Sequence, residues 1–323
     1  MSNSAIAMPV VVVHGGVRVS PPDSEDPEAD NRAVERLKQI AQAAYRQLEV
    51  GGSAVDAVEL AVRLMEEDPL FNAGYGSALN LRGEVEVDAS IMDGRTLRAG
   101  AVGGVKGVLH AVTLARAVME RTPHVLLVGE GAREFARLLG IGGDDDLVHE
   151  RRIEYRKRLL EAIKSGKTER RFRAIRELLP LYGVADTVGA VALDAEGGLA
   201  AATSTGGLTL KLPGRVGDSA IIGAGTYASR RGACSGTGIG EAAMLVLGAY
   251  RVVQGIEEGL APQDAAEKVL IDMLRATGYA FGFIALDSSG RVGVAQTGYG
   301  LFWAAAGDEW VRGGVKKDRP EGL

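Results

Sequence analysis

The sequence predicts an α+β fold in which two antiparallel sheets are covered by helices. Three observations lead there. Thr187 to Leu193 and Leu199 to Thr205 are apolar runs of strand length, joined by Asp194-Ala195-Glu196-Gly197-Gly198, whose two glycines suit a hairpin turn. Glu84 to Met92 and Leu97 to Val105, across Asp93-Gly94, read as a second hairpin. Amphipathic helices stand around these hairpins in blocks. Regular strand–helix–strand units are missing, which disfavours a doubly wound parallel sheet.

The elements follow in order. Met8 to Val13 reads as a buried strand ending at His14-Gly15-Gly16. Ser20 to Asp30 is acidic and proline-containing, hence a loop. Val34, Leu37, Ile40, Ala41, Ala44 and Leu48 form a helical stripe over Asn31 to Val50, stopped by Gly51-Gly52. Ser53 with Asp56 resembles a capping box for a second helix through Glu67. Asp68 to Ser77 is a loop rich in turn formers. Beyond the second hairpin, Gly107 to Glu120 and Glu130 to Leu139 are helices, with a short buried strand at His124 to Val128. Gly238 to Val253 and Pro262 to Thr277 are helices, then Phe281 to Asp287, Arg291 to Gln296 and Leu301 to Ala306 are antiparallel strands. Lys316 to Leu323 is a polar tail, expected to be loose.

Composition narrows the function. The chain has 323 residues, 46% hydrophobic and 24% charged, which is ordinary globular make-up. Its formal net charge of −5 offers no global attraction for nucleic acid or an anionic membrane. One cysteine, Cys234, excludes an intrachain disulfide and a cysteine-rich zinc site. No apolar run reaches the roughly 18 residues of a membrane span, and no targeting signal stands at the start, so a cytoplasmic location is expected. Arg151 to Arg176 holds eleven Lys or Arg and three Glu. With stacking aromatics scarce, it reads as a charged helical or mobile linker rather than a nucleic-acid patch.

The candidate chemistry lies in the first hairpin. If it is symmetric about Glu196, Thr187 and Thr205 oppose each other, with Cβ atoms roughly 4.5–5.5 Å apart. Such a hydroxyl pair at the end of two apolar strands is either a satisfied core pair or a reactive site. His14 has no spaced partner among the four histidines and reads as structural. Asp88 reads as a polar strand-end residue.

Asp186-Thr187-Val-Gly-Ala-Val-Ala-Leu-Asp194, Thr203-Ser-Thr-Gly-Gly207, Leu212-Pro-Gly-Arg215-Val-Gly-Asp218-Ser and Gly223-Ala-Gly-Thr-Tyr-Ala228 resemble the plant-type asparaginase/isoaspartyl peptidase family of N-terminal nucleophile hydrolases. The likeness runs from Val13-His14-Gly15-Gly16 to the C-terminal strands, leaving out the first residues and about 144–183. It implies a four-layer αββα sandwich over residues 1–323. It implies autocleavage between Asp186 and Thr187 into an α subunit, 1–186, which ends in a charged linker, and a β subunit, 187–323. It implies that Thr187 is the nucleophile, held by Thr205. It implies that Thr237 and Gly238, opening the helix that follows, stabilise the oxyanion. It implies that Arg215 and Asp218 bind the carboxylate and ammonium of an aspartyl substrate, with Gly240 and Asn72 in the same pocket. The family needs no catalytic cofactor. A structural sodium ion is implied at the backbone of Met65, Glu66, Asp68, Phe71, Ala73 and Tyr75. Two cleaved units are expected to associate, acting on L-asparagine and β-aspartyl dipeptides.

The chemistry explains why no Ser-His-Asp set is needed. A threonine hydroxyl requires a base. Cleavage before Thr187 frees an α-amine of pKa roughly 7.7–8.0, which can be neutral near working pH. Glycosylasparaginase and a threonine endopeptidase of the same superfamily remain alternatives, as does an uncleaved non-catalytic relative. A nucleotide-binding protein using Gly236-Thr-Gly-Ile-Gly240 before a helix is a reading from another class, but that spacing matches neither phosphate-binding fingerprint.

Overall fold

The computed structural model describes residues 8–19, 26–164 and 187–321. Its strands form two sheets. The larger runs β12-β11-β1-β5-β6-β2-β3-β4. It comprises β1 (Val10–Val17), β2 (Val87–Asp93), β3 (Arg98–Val105), β4 (Leu126–Val128), β5 (Val188–Leu193), β6 (Leu199–Thr205), β11 (Leu301–Gly307) and β12 (Trp310–Lys316). The smaller runs β10-β9-β8-β7, from β7 (Thr226–Ala228), β8 (Gly232–Gly238), β9 (Phe281–Asp287) and β10 (Val292–Gln296). All neighbours are antiparallel except β3 and β4.

Period-two alternation builds the layers. Val11, Val13, Ala190, Ala192, Ala200 and Ala202 turn to one face of the large sheet. There they meet α1 (Pro27–Glu49), α2 (Ala54–Glu66) and α3 (Ala111–Arg121). The alternate residues Val10, Val12, Val191, Leu193, Leu199 and Ala201 turn the other way and pack with Ala233, Ile284 and Leu286 of the small sheet. The far face of that sheet is covered by α7 (Gly248–Glu257) and α8 (Pro262–Thr277), through Val252, Val253, Leu270 and Met273. Helix, sheet, sheet and helix thus make the four layers expected from the resemblance. Small alanines on β5 and β6 let α2 approach closely.

Several expectations change. Pro27 to Asp30 belongs to α1, because Asp26 caps it through the Ala29 N–H. Residues 20–25 lie outside the described residues. The capping box Ser53/Asp56 is formed, a contribution of about 1 kcal/mol. β4 is the edge strand of the described sheet, and its Leu126 and Val128 are exposed, not buried. After α4 (Gly129–Leu139), the basic segment forms α5 (Glu150–Lys164), and its remainder, 165–176, lies outside the described residues. Gly238 to Val253 is not one helix. β8 runs through Gly238, α6 (Gly240–Val246) follows, and Leu247 breaks the helix with φ 54° before α7. β12 is unanticipated, because its two glycines blur the strand signal. Gln296 Nε2 donates to the Lys317 and Asp318 carbonyls and Arg319 Nε donates to that of Gly298, so the described part of the C-terminal tail is tied down.

Candidate active site

The β5–β6 hairpin has the register that puts the two threonines together. Val188 faces Ser204 and Leu193 faces Leu199, so Thr187, one residue before the ladder, continues it opposite Thr205. The two Oγ1 atoms are 3.3 Å apart and both residues are buried. Thr205 Oγ1 also accepts the Gly207 N–H at 3.0 Å. Odd-numbered residues of both strands face the space between the sheets, so the pair stands at one end of the sandwich.

Thr187, Thr205, Gly207, Leu208, Arg215, Asp218 and Gly238 line a small pocket there. Arg215 donates from Nε and Nη2 to the Glu241 carboxylate at 3.0 and 2.8 Å. That side-on grip leaves the Nη1/Nη2 end of the planar fork for a second carboxylate. Burial works against the Arg215 charge, but Glu241, with Asp88 and Asp218, more than offsets it. Glu241 is held below its usual range: burial would raise it, and Arg215 reverses that. Asp218 is buried and its Oδ2 has no hydrogen-bond partner. Burial lifts its carboxyl to about 7, Arg215 pulling the other way. A buried carboxylate with one unpartnered oxygen, beside an open guanidinium, suits a ligand carrying both an ammonium and a carboxylate. Gly240 lies so close that a Cβ there would stand 2.6 Å from Asp218 Oδ1 and 2.9 Å from Arg215 Nη2.

Other expected residues stand around this pocket. Gly238 lines it, while Thr237 is buried in β8, opposite Gly282 of β9. Both therefore sit at the end of a strand and not at a helix start. Asn72 braces the pocket from behind: its Nδ2 donates to the Gly207 carbonyl at 2.8 Å and its Oδ1 accepts the Ala78 N–H. Asp186 lies outside the described residues.

Three positioning groups were not read from the sequence as such. Asp88 accepts the N–H groups of Gly104 and Gly217, fixing the loop that carries Arg215 and Asp218. Lys211 Nζ donates to the Glu86 carbonyl, and burial lowers its pKa. Glu241 orients Arg215 across 26 residues. The signal available for Asp88 was an acidic residue in an apolar strand. Glu241 stood in plain view after Gly240 with no spacing rule to pair it. From α5, Arg152 Nε donates to the Gly76 carbonyl, while Arg156 binds those of Asn80 and Leu81. Part of the basic segment thus holds the loop behind the site.

A larger cavity, about 340 Å³, lies at the turn end of the same hairpin, lined by Gly51 to Val55 and Asp194 to Glu196. Its arginines are already engaged, Arg95 with Glu196 and Arg116 with Glu59 and Glu120, and its two hydroxyls, Ser53 and Thr96, donate to Asp56 and Asp93. The small pocket at the threonine end carries the chemistry.

The comparisons bear on this arrangement. A family model described as asparaginase matches residues 7–312. An isoaspartyl peptidase of Salmonella typhimurium is 43% identical over 305 residues, 93% of this chain and 96% of that protein. A plant-type L-asparaginase of Pyrococcus furiosus is 43% identical over 295 residues, 90% and 93% of the two chains. An isoaspartyl peptidase/L-asparaginase of Danio rerio is 40% identical over 303 residues, 93% and 92% of the two.

Proposed function

From the premise that the chain belongs to the asparaginase family, we infer that it hydrolyses L-asparagine and β-aspartyl dipeptides with Thr187 as nucleophile. The observation that carries this is the Thr187–Thr205 hydroxyl pair at 3.3 Å in the pocket of Arg215 and Asp218.

Maturation comes first. Thr187 Oγ1 attacks the carbonyl carbon of Asp186, the C–N bond breaks, and the acyl group moves to oxygen. Water hydrolyses the ester, leaving a carboxylate on residue 186 and a free amine on Thr187. In turnover that amine takes the Thr187 hydroxyl proton as Oγ1 attacks the side-chain carbonyl of the substrate. The proton passes to the departing ammonia or amino acid. Thr237 and Gly238 stabilise the tetrahedral oxyanion. Water then releases aspartate from the Thr187 ester. Arg215 holds the substrate α-carboxylate and Asp218 its α-ammonium, so only the β-carbonyl reaches Oγ1. Thr205 keeps that hydroxyl aimed, Gly240 leaves room for the substrate, and Asn72 secures Gly207.

No metal takes part in these steps. A structural sodium ion is proposed in the Asp68–Ser77 loop region, held by main-chain oxygens of Met65, Glu66, Asp68, Phe71, Ala73 and Tyr75. The loop folds tightly enough to support that: a Cβ on Gly74 would lie 2.3 Å from the Glu66 carbonyl oxygen. Oxygen donors of this kind suit a hard cation. Two cleaved units are proposed to associate. Exposed Leu245, Leu247 and Tyr250, beside half-buried Met244 and Val246, supply an apolar surface for it. No described helix is long and apolar enough to cross a membrane. The buried free thiol of Cys234 suits the cytoplasm, where we place the enzyme.

Intact mass spectrometry beside a Thr187→Ala control tests the reading. Two fragments meeting between Asp186 and Thr187, absent in the control, with ammonia released from L-asparagine, are expected. A full-length chain that hydrolyses neither asparagine nor a β-aspartyl dipeptide would overturn it.

A further inference from the structure

The pocket of Thr187 has an apolar neighbour that the catalytic steps do not use. Leu208 lines the pocket, and among the described lining residues it alone carries a wholly apolar side chain. It belongs to a buried cluster with Leu210, Ile239 and Leu159, against which Val19, Leu81, Leu160 and Tyr279 pack at the edge. Ile239 stands between Gly238 and Gly240, both at the pocket. Leu159 comes from elsewhere. It lies on α5, the helix of the basic segment, and is the one buried side chain among the described residues of that helix.

Hydrogen bonds hold α5 over this cluster. Arg152 Nε donates to the Gly76 carbonyl at 2.6 Å, and Arg156 donates to those of Asn80 and Leu81 at 3.2 and 2.6 Å. The loop that carries Leu208 and Leu210 is stitched to the same segment. The Leu81 N–H donates to the Lys211 carbonyl at 3.0 Å, and the Leu210 N–H to that of Leu79 at 2.8 Å. Leu210 itself has φ 63°, a left-handed conformation that is strained for a residue other than glycine. Such strain persists where the surroundings over-determine it, and it gathers at sites that grip ligands. The arginines and the carbonyls they bind all lie before residue 187, so cleavage before Thr187 does not cut the chain between them.

With Arg215 on the α-carboxylate and Asp218 on the α-ammonium, an aspartyl group is anchored at its α-carbon, and the group to be released is its far end. For L-asparagine that end is an NH2 group, about the size of a water. For a β-aspartyl dipeptide it is a whole amino acid. The void in the pocket is about 10 Å³, close to the roughly 10–15 Å³ that one water needs. An entering asparagine must shift side chains around its aspartyl part, and a dipeptide must in addition seat a second residue. The apolar ground next to the pocket is that of Leu208 and Ile239, and Leu159 already covers it. We propose that Leu159 is a specificity-determining residue: it fills the apolar seat beside Leu208 and Ile239 that the side chain of a released amino acid would take, and so favours L-asparagine and small leaving residues over large aliphatic ones. The proposal rests on the reading of Thr187 as nucleophile.

Wild type assayed with three substrates tests this without any substitution. Its kcat/KM for β-aspartyl-glycine is expected to exceed that for β-aspartyl-leucine by about tenfold, the lower end of what a small misfit in a hydrophobic pocket is worth. Equal values overturn the proposal. Trimming Leu159 then separates a filled seat from a plain cover. Leu159→Ala is expected to raise kcat/KM for β-aspartyl-leucine about tenfold, with β-aspartyl-glycine and L-asparagine within about threefold of wild type. Leu159→Val is expected to act in the same direction by about threefold, and it carries the test if intact mass shows that the alanine variant does not mature. A rise shared by all three substrates would make α5 a cover and nothing more, and no change would put Leu159 outside the site. Either result overturns the proposal. Failure of the nucleophile reading would look different: wild type itself would leave all three substrates untouched.

Discussion

Asp218 behaves far from its type. Desolvation lifts its carboxyl to about 7 against the attraction of Arg215. The sign follows from linkage. A carboxyl raised in the folded chain favours folding fully below its unfolded value of about 3.9. That contribution is lost as pH rises through about 7. The substrate-free protein should therefore melt lower at pH 8 than at pH 5, and Asp218→Asn should flatten that slope in a thermal melt. A substrate ammonium reverses the demand, because it pairs with the ionised form. KM for L-asparagine should rise as pH falls below 7. A KM constant from pH 5 to 8 would remove Asp218 from ammonium binding. Glu241 completes the residue-scale account. It occupies the Nε side of Arg215 and turns the other end toward the pocket. Thr187, Thr205, Arg215 and Asp218 were legible in the sequence because they sit in short local motifs. Glu241, Asp88 and the 3.0 Å contact of Ser235 Oγ with His14 Nε2 were not, because each partner is supplied by a distant strand or loop.

At the scale of elements, the β5–β6 hairpin decides the site. Its five-residue turn sets the register, and register alone makes Thr187 and Thr205 neighbours. That much could be read from spacing. The end of β8 could not. A Gly-rich segment before apolar residues reads as a helix start, yet pairing with β9 extends the strand through Gly238. Leu247 then breaks the following helix with a left-handed residue. Tertiary pairing here outweighs local helical preference. The Asp68–Ser77 loop is the other element with a specific task. It carries Asn72 to Gly207 and is itself held by Arg152 of α5 through the Gly76 carbonyl, while Arg156 holds the residues just after it, Asn80 and Leu81. If sodium fills its main-chain cradle, exchange of sodium for choline chloride at equal ionic strength should lower the melting temperature by a few degrees, in keeping with linkage to a bound ion. Equal melting temperatures in the two salts would count against the ion.

For the whole molecule, the two segments that cleavage would separate are interleaved. β1 lies between β11 and β5, so a strand from before residue 187 is paired on both sides by strands from after it. α2 packs on β5 and β6 through the same core. After cleavage the chains should stay together in native buffer and part only on denaturation. Native mass measurement should give an intact unit, doubled to about twice the 33.8 kDa of one chain if two units associate. Separation of the fragments without denaturant would contradict the interleaved sheet.

By itself the sequence determined the α+β class, the hairpin register and, through its motifs, the family. These are local properties, set by side-chain period, turn residues and short runs of fixed spacing. Only the tertiary structure decided that His14 meets Ser235, that Glu241 steers Arg215, and that Asp218 is buried with its Oδ2 unpartnered. Those facts depend on strands and loops far apart in the chain meeting in a water-free space between two sheets, where an unpaired polar atom is costly and every donor must find a direction.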